Sequence, residues 1–292
     1  ANENDYLKYS RINHILNDIK IHIGSLESLP SLYKIIDQVK PDELYHLAAQ
    51  SFVKDSFEDE FSTFNSNING THYILTAIKH ICPNTKFYFA GSSEMFGKVT
   101  ESPQNELTRF HPRSPYGISK VTGFDLTRNY REAYNLFAVS GILFNHESPR
   151  RGFEFVTRKI SLAVARIKNN LQNDLILGNL KAKRDWGYAK DYVEAMWLML
   201  QNQNPVDYVV GTGLTNSIED FVKLAFDQVK LNYLDYVKFN EKFLRPTEVD
   251  LLIADNAKVK KELGWKPSIN FEDLVNLMVE SDLKYIRDNK SK

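Results

Sequence analysis

Short runs of β-branched and aromatic residues alternate with longer amphipathic stretches along most of this chain. Residue propensity and flanking turn residues predict strands at 19–25, 43–48, 86–92, 137–144, 174–179 and 206–213. Apolar residues at helical spacing predict helices at about 28–38, 58–80, 115–134, 156–168, 188–201, 217–230 and 270–288. Strands that alternate with helices of this length are joined by right-handed crossovers into a parallel sheet with helices on both faces. The alternation therefore predicts a doubly wound parallel α/β fold.

The alternation becomes less regular after about residue 145, which bears on how the chain divides into domains. At 292 residues the chain can form one large α/β domain, or a main domain with a smaller appendage. The later segments are more typical of a small lobe that covers the carboxyl edge of the sheet. We therefore predict a main sheet domain over 1–145 and a smaller α/β lobe over 146–292, some segments of which return to the main sheet.

Charge and cysteine content argue against several kinds of partner. The 37 basic and 37 acidic residues balance to a formal net charge of zero, so nothing favours nucleic acid or an anionic membrane as the main partner. No apolar run approaches the roughly 18 residues that a membrane-spanning helix requires. The single cysteine, Cys82, cannot form an internal disulfide, which is typical of a reducing cytosol. We therefore expect a cytoplasmic protein with no membrane and no nucleic-acid partner.

Polar motifs follow three of the predicted strands, at the points where those strands end. The motif "HLAAQS" occupies 46–51, "GSSEMFG" occupies 91–97 and "LFNHESP" occupies 143–149. Open parallel sheets bind ligands at the carboxyl ends of their strands, near the topological switch point. Small residues such as Ala48 and Ala49 let a flat ligand approach the backbone, although close helix–strand packing explains them equally well. The three motifs together predict a ligand site at this edge of the sheet.

The motif "SPYGISK" places Tyr116 and Lys120 four residues apart, on one face of a predicted helix. An ammonium group beside a phenol stabilises the phenolate, lowers its pKa from about 10 and lets it act as a base near neutral pH. The spacing alone is weak evidence, because a half-buried tyrosine beside a solvated lysine has the same pattern. Ser92 adds a hydroxyl at the end of the preceding strand, which completes an apparatus for alcohol oxidation.

This constellation resembles the extended short-chain dehydrogenase/reductase family. The resemblance implies a Rossmann-like form of the doubly wound sheet. It also implies that Tyr116 removes the proton of an alcohol whose oxygen Ser92 holds. Lys120 would bind the nicotinamide ribose and tune the tyrosine.

Glu94 stands two residues after Ser92, and simple alcohol oxidation does not require it. Oxidation of a ring alcohol to a ketone acidifies the adjacent C–H, and a nearby carboxylate can then abstract that proton. The protonated carboxyl group can help to expel a hydroxyl from the next carbon as water, and return of the hydride to that carbon regenerates the cofactor. Glu94 therefore favours a redox-neutral 4,6-dehydration of a nucleotide sugar over a reductase or epimerase reaction. A solvated carboxylate at a strand end is the alternative interpretation.

Within that family the chain most resembles the GDP-mannose 4,6-dehydratases, over almost its whole length. The resemblance is carried by long motifs that include "KPDELYHLAAQSFVKDSF", "SSEMFGKVTESPQNE", "PRSPYGISK", "GILFNHESPRRG", "KRDWGYAKDYVEAMWLMLQ" and "RPTEVD". It implies conversion of GDP-mannose to the 4-keto-6-deoxy sugar with bound NADP, in a homodimer or homotetramer. One alternative is dehydration of a GDP-manno-heptose. Another is a non-catalytic truncated homologue that acts as an assembly partner.

Matched position by position, the resemblance implies roles for individual residues. Catalysis is expected of Ser92, Glu94, Tyr116 and Lys120. Together with that Tyr–Lys pair, the residues expected to contact NADP are Leu47, Ala49, Gln50, Ser51, His146 and Arg151. The residues expected to contact the nucleotide sugar are Ser93, Asn145, Val156, Lys159, Arg184, Arg245 and Glu248. No metal site is predicted. The resemblance thus makes 1–145 the NADP-binding domain and 146–292 mainly the nucleotide-sugar lobe.

One element of the family pattern does not occur in the sequence. No G-x-G-x-x-G loop follows a first strand, although a dinucleotide site uses the amides of such a loop to hold the pyrophosphate. The chain aligns from "SRINHIL" onwards, which places a first βαβ unit of roughly 30–45 residues before it. We expect such a segment in the natural protein. Without it, we expect neither tight dinucleotide binding nor catalysis.

Overall fold

Parallel strands form the centre of the computed structural model, which describes residues 11–241 and 251–290. In chain order the strands are β1 (Glu43–His46), β2 (Lys86–Ser92), β3 (Ala138–Leu143), β4 (Asn145–Glu147), β5 (Leu175–Leu177), β6 (Lys183–Arg184), β7 (Trp186–Tyr188), β8 (Tyr208–Val210), β9 (Asn216–Ser217) and β10 (Val237–Phe239). The central sheet has the order β1-β2-β3-β8, and every neighbouring pair in it is parallel. Three two-stranded sheets, β4–β7, β5–β10 and β6–β9, lie outside it.

Helices cover both faces of the central sheet. In chain order they are α1 (Leu29–Val39), α2 (Val53–Glu58), α3 (Glu60–Phe64), α4 (Gly70–Ile81), α5 (Pro115–Tyr134), α6 (Val156–Lys168), α7 (Ala189–Gln201), α8 (Ile218–Gln228), α9 (Ala257–Leu263) and α10 (Phe271–Lys290). A π-helical turn at Asn65–Asn69 joins α3 to α4. Helices α1, α4 and α5 pack on one face of the sheet, and α7 and α9 pack on the other. The predicted doubly wound parallel α/β fold is confirmed.

Side chains alternate along β2 between two buried cores. Phe87 and Phe89 pack with α1, α4 and α5, whereas Tyr88 packs with α7 and α9. Helix α5 approaches this strand closely, because a Cβ atom at Gly123 would lie 2.3 Å from the Phe89 ring. Glycine at 123 therefore permits the contact that holds α5 against β2.

A separate core lies between α6, α8 and α10, all from the second half of the chain. A buried ion pair joins two of these helices: Arg158 Nη2 lies 2.6 Å from Asp282 Oδ1, and Ser161 Oγ donates to Asp282 Oδ2 at 2.6 Å. Strand β8 and helices α7 and α9, although also from the second half, pack in the main sheet domain. The domain boundary at residue 145 stays a prediction.

The predicted strand at 19–25 is wrong. The segment has no β-ladder partner among the described residues, and its alternating isoleucines face solvent, with Ile23 83% exposed. Alternation of β-branched residues specifies a strand only where a neighbouring strand and a buried face are both present. The predicted helix at 58–80 is also interrupted, because Asp59 accepts a hydrogen bond from the Ser62 N–H and so begins a new helix after α2.

The longest described helices, α5 and α10, have 20 residues each and carry charged side chains throughout. Over the two described ranges, no helix combines the length and apolar character needed to cross a bilayer.

Candidate active site

Two cavities open near the carboxyl ends of the central strands, and they meet at three residues. The first cavity, of about 300 Å³, lies at the ends of β1, β2 and β3 beside the beginnings of α5 and α7. The second cavity, of about 200 Å³, lies between the loop after β1, the beginning of α6 and strands β5 to β7. Asn145, Arg151 and Phe155 line both cavities. These three residues therefore lie at the boundary between the two cavities.

The four residues predicted to be catalytic all line the first cavity. Ser92 ends β2, Glu94 follows in a short 3₁₀ turn, and Tyr116 and Lys120 lie in the first two turns of α5. The Ser92 hydroxyl and the charge of Glu94 both act on the pKa of the Tyr116 phenol, the first lowering it and the second raising it. The structure thus brings a hydroxyl, a carboxylate and a phenol together at one wall.

The turn after β2 and the beginning of α5 place Glu94 beside Tyr116. Ser92 Oγ accepts a hydrogen bond from the Glu94 N–H at 3.2 Å, which begins the 3₁₀ turn. Ser114 caps α5 by accepting from the Gly117 N–H at 3.0 Å. A Cβ atom at Gly117 would lie only 2.8 Å from the Glu94 carbonyl oxygen. Glycine at this position therefore allows the backbone of α5 to approach the turn that carries the carboxylate.

Burial raises the pKa of Tyr116 to about 12, contrary to the lowering expected from Lys120. The negative charge of Glu94 acts in the same direction as burial. A hydrogen bond from Ser92 and the positive charge of Arg151 lower the pKa of the phenol. Sequence spacing does not report burial, and burial is the larger effect here. Ser92 and Arg151 are therefore the groups that favour release of the Tyr116 proton.

The ammonium of Lys120 is directed at the main chain of β2 rather than at the phenol. Lys120 Nζ donates to the Ala90 carbonyl oxygen at 2.9 Å and lies 5.8 Å from the centroid of the Tyr116 ring. Lys120 is only 4% exposed, and burial lowers its pKa to about 8. A buried lysine at the wall of the first cavity is well placed to donate hydrogen bonds to ligand hydroxyl groups.

Most of the residues expected to contact the cofactor line the first cavity, but Gln50 does not. Its backbone N–H donates to Asn67 Oδ1 at 2.8 Å, and its side-chain Nε2 donates to the Phe52 carbonyl oxygen at 3.0 Å. The second bond ties the Gln50 side chain to the main chain of the following loop, and Gln50 does not line the cavity. Those that do line it are Leu47, Ala49, Ser51, Tyr116, Lys120, His146 and Arg151.

Two histidines near the first cavity are buried in the neutral form. His146 Nδ1 donates to the Phe144 carbonyl oxygen at 2.9 Å, and its ring stacks on Tyr192 at a centroid distance of 4.8 Å. His46 Nε2 lies 3.0 Å from Thr71 Oγ1. Burial lowers the pKa of His46 to about 3 and that of His146 to about 4, and the positive charges of Lys120 and Arg151 contribute to the respective shifts.

We expect these two histidines to make the protein sensitive to acid. A folded-state pKa below the unfolded value of about 6.5 gives stability that is present above pH 6.5 and is lost as the pH falls towards the folded value. Each histidine should cost about 1.4 kcal/mol of unfolding free energy per pH unit between about pH 6 and pH 4.5. Urea titrations across this range should show a smaller pH slope for His46→Gln than for the unchanged protein.

His80 supplies a matched control for that experiment, because it is exposed. His80→Gln should leave the pH slope of the unfolding free energy unchanged. Equal slopes in His46→Gln and the unchanged protein would contradict the assignment of a buried neutral imidazole.

The second cavity contains several of the residues expected to contact the nucleotide sugar. Lys159 Nζ donates to the Ile176 carbonyl oxygen at 2.7 Å, and burial lowers the pKa of this lysine. Ser93, which was assigned to the same group, lines the first cavity instead. Arg245 and Glu248 lie outside the described residues. The expected residues that line the second cavity are Asn145, Val156, Lys159 and Arg184.

Arg184 is only 6% exposed, and Asp185, its neighbour in the chain, does not lie on the surface either. Asp185 points elsewhere: its carboxylate accepts from the Thr212 N–H and hydroxyl, the Gly213 N–H and the Ala254 N–H, at 2.6 to 3.2 Å. These bonds attach the strand that carries Arg184 to two neighbouring segments. The guanidinium is thereby held at the wall of the second cavity.

Three residues around the cavities were not identified from the sequence. Phe155 lines both cavities, Glu147 lines the second, and Asn67 holds the Gln50 backbone from the π-helical turn. Glu147 lies inside the motif "NHESPRRG", between His146 and Arg151, and this position could have identified it as a residue of the site. Asn67 had no comparable signal, because its role depends on a contact between distant segments.

Known proteins are similar to this chain over most of its length. The sequence model of the GDP-mannose 4,6 dehydratase family matches residues 1–278. GDP-mannose 4,6 dehydratase 1 of Arabidopsis thaliana is 50% identical, over 96% of this chain and 81% of that protein. The human GDP-mannose 4,6 dehydratase is 48% identical, over 94% of this chain and 79% of that protein.

Solved structures share the fold of this chain. The structure of RMD from Pseudomonas aeruginosa complexed with NADPH has a TM-score of 0.82 at 25% identity, over 90% of this chain and 87% of that chain. The dTDP-glucose 4,6-dehydratase DesIV from Streptomyces venezuelae, with NAD and TYD bound, has a TM-score of 0.77 at 21% identity, over 92% of this chain and 79% of that chain. With the family model and the relatives above, this places the chain in the GDP-mannose 4,6-dehydratase family.

Proposed function

We propose that the protein converts GDP-mannose to GDP-4-keto-6-deoxymannose by oxidation at C4, elimination of water across C5 and C6, and reduction at C6. The observation that carries this function is the presence of Ser92, Glu94 and Tyr116 at one wall of the first cavity. Relatives at 42–51% identity that bear this enzyme's name support the same reaction. The enzyme is a hydro-lyase that uses NADP.

The first cavity fits the nicotinamide end of NADP. Its apolar lining residues include Leu47, Val193 and Met196. Its lining also includes two cationic groups, those of Lys120 and Arg151. Apolar side chains suit the flat face of a nicotinamide, and the cationic groups suit its ribose and phosphate oxygens.

Proton transfer at the sugar is assigned to three side chains. NADP, when bound, would supply the site that accepts the hydride from C4 and donates it to C6. Tyr116 accepts the proton of the C4 hydroxyl, whose oxygen is held by Ser92. Glu94 abstracts the proton from C5, which the C4 ketone has acidified, and then delivers it to the departing C6 hydroxyl. A proton returns to C5, which balances the proton that Tyr116 removed.

The second cavity is proposed to hold the GDP portion of the substrate. Arg184 and Lys159 provide positive charge for the diphosphate, and a buried guanidinium can form two parallel hydrogen bonds with phosphate oxygens. Asn145 lines both cavities, which supports assigning it to the point where the sugar joins the nucleotide portion. We assign sugar contacts to Ser93 and Val156 on the same basis, each from its own cavity.

We further propose that the protein is a homodimer or homotetramer in the cytoplasm. Phe61 on α3 is 83% exposed and Ile118 on the neighbouring α5 is 44% exposed, so this pair of helices presents apolar surface. Cys82 is a free thiol, which is consistent with a reducing compartment.

The function is tested by incubating the full-length protein with GDP-mannose and NADP. The expected product is a 4-keto-6-deoxy sugar, detected by its absorbance in alkali and by the loss of one water in mass spectrometry. A GDP-manno-heptose is the competing substrate. Turnover of the heptose without turnover of GDP-mannose would replace the proposed substrate, and turnover of neither would overturn the function.

A further inference from the structure

Glu147, the last residue of β4, is a buried carboxylate to which the reaction above assigns no role. Its side chain is 2% exposed. Glu147 Oε2 accepts a hydrogen bond from Thr157 Oγ1 at 2.6 Å and lies 3.1 Å from Arg151 Nε. Burying a carboxylate is costly unless it is paired and hydrogen-bonded, and these two groups satisfy that requirement. A carboxylate kept at this cost at the wall of the second cavity, in contact with an arginine that lines both cavities, calls for a functional explanation.

Arg151 is the first of the two groups, and it lies where the cavities meet. Its guanidinium lies 3.6 Å from the centroid of the Phe155 ring, with Glu147 at its Nε edge. A long side chain that is held both at its edge and on its face has little rotational freedom. The charge of Arg151 also favours the phenolate form of Tyr116. A displacement of this guanidinium would therefore change the electrostatic environment of Tyr116 in the first cavity.

Thr157 is the second group, and it belongs to the second cavity. It is the second residue of α6, and the same turn carries Val156 and Lys159, which line that cavity. The Thr157 side chain accordingly connects the beginning of α6 to the carboxylate that holds Arg151.

We propose that Glu147 is a positioning residue that fixes Arg151 at the junction of the two cavities and, through Thr157, fixes the first turn of α6. The inference rests on the proposed function, because it has one buried side chain align the cavity proposed for the nicotinamide of NADP with the cavity proposed for the nucleotide sugar. A misplacement of about 1 Å at such a junction can lower a rate by about 10²-fold.

A double-mutant cycle tests the arm through Arg151. Glu147→Gln keeps the size of the side chain but removes its charge, and Arg151→Met removes the guanidinium. In the full-length protein we expect each single variant to weaken NADPH binding and to lower kcat for GDP-mannose, by about tenfold or more. Because Glu147 acts through Arg151, the double variant should be no worse than Arg151→Met alone. The proposal would be overturned if Glu147→Gln lowered NADPH affinity and kcat by the same factor in the unchanged protein and in Arg151→Met. It would also be overturned if Glu147→Gln lowered them in neither.

The melting temperature provides a second readout of the same cycle. Arg151→Met leaves the Glu147 carboxylate buried without its cation, so this variant should melt at a lower temperature than the double variant. A double variant that melts below Arg151→Met contradicts the pairing. Glu280→Gln, at an exposed position on α10, is the matched control and should change neither affinity, rate nor melting temperature.

Thr157→Val tests the second arm and keeps the Glu147–Arg151 pair. This variant should raise the KM for GDP-mannose by a larger factor than it lowers kcat, because it loosens only the first turn of α6. An unchanged KM, with or without a change in kcat, would contradict a role for the contact between Glu147 and Thr157. The variant also keeps the proposal testable if Glu147→Gln does not fold.

The NADPH titration separates this inference from the proposed function, because it requires no turnover. If the unchanged protein binds NADPH but does not convert GDP-mannose, the function fails, and a non-additive cycle in NADPH affinity still supports the role of Glu147. An additive cycle overturns that role whether or not GDP-mannose is converted.

Discussion

Replacing Glu94 with glutamine is expected to lower kcat for dehydration by at least about 10³-fold, while oxidation at C4 continues. Proton transfer by a positioned side chain contributes about 10²- to 10⁴-fold to a rate. Glu94 is assigned two such transfers, one from C5 and one to the departing C6 hydroxyl. Glutamine has nearly the same shape and can still donate hydrogen bonds, but it cannot accept the C5 proton. Tyr116 and Ser92 are unchanged in this variant, so the residues that act in the oxidation at C4 are still present.

The experiment compares Glu94→Gln with Tyr116→Phe in single-turnover reactions. The glutamine variant should accumulate reduced cofactor, seen as near-ultraviolet absorbance, without forming the 4-keto-6-deoxy product. The phenylalanine variant should form neither, because its base for the C4 hydroxyl is gone. Dehydration by Glu94→Gln at a rate close to that of the unchanged protein would show that another group acts on C5.

Replacing Asp282 with alanine should lower the free energy of unfolding by about 3–5 kcal/mol. The substitution leaves the Arg158 guanidinium, which is 5% exposed, without its carboxylate and removes the nearer of the two acceptors of the Ser161 hydroxyl. An uncompensated buried charge costs far more than the intact pair contributes. Arg158 is the third residue of α6, so the loss should also loosen the turn that carries Val156 and Lys159. Urea denaturation measures the first effect.

A paired substitution separates charge from packing at this site. Arg158→Met combined with Asp282→Leu removes both charges and keeps apolar volume, and it should recover most of the stability lost in Asp282→Ala. If Asp282→Ala costs less than about 1 kcal/mol, the pair is not buried in solution as the structure has it.

Local signals in the sequence were sufficient to predict several elements of the fold. Helix α5 begins and ends at the predicted residues, because Ser114 caps it, Pro115 occupies the first helical position and Asn135 ends it in a left-handed conformation. The segment 19–25 shows the opposite case. Its isoleucines have strand propensity, but a strand also requires a partner, and propensity carries no information about partners.

The candidate site was predictable where residues lie at strand ends or in one helical turn, and not where distant segments meet. Ser92, Glu94 and Tyr116 follow from the motif positions and the rule for parallel sheets. The raised pKa of Tyr116 and the contact between Glu147 and Arg151 depend on burial and on tertiary packing. Single-sequence patterns report neither of these.

In the proposed reaction, C4 is oxidised, the C5 proton is removed and the C4 hydride is returned to C6, all within the first cavity. Turnover of GDP-mannose that carries deuterium at C4, in ordinary water, follows that hydride. The product should contain deuterium at C6 and ordinary hydrogen at C5, as read by nuclear magnetic resonance. Deuterium lost to the solvent, or retained at C4 in an unchanged sugar, would rule out transfer of the hydride from C4 to C6.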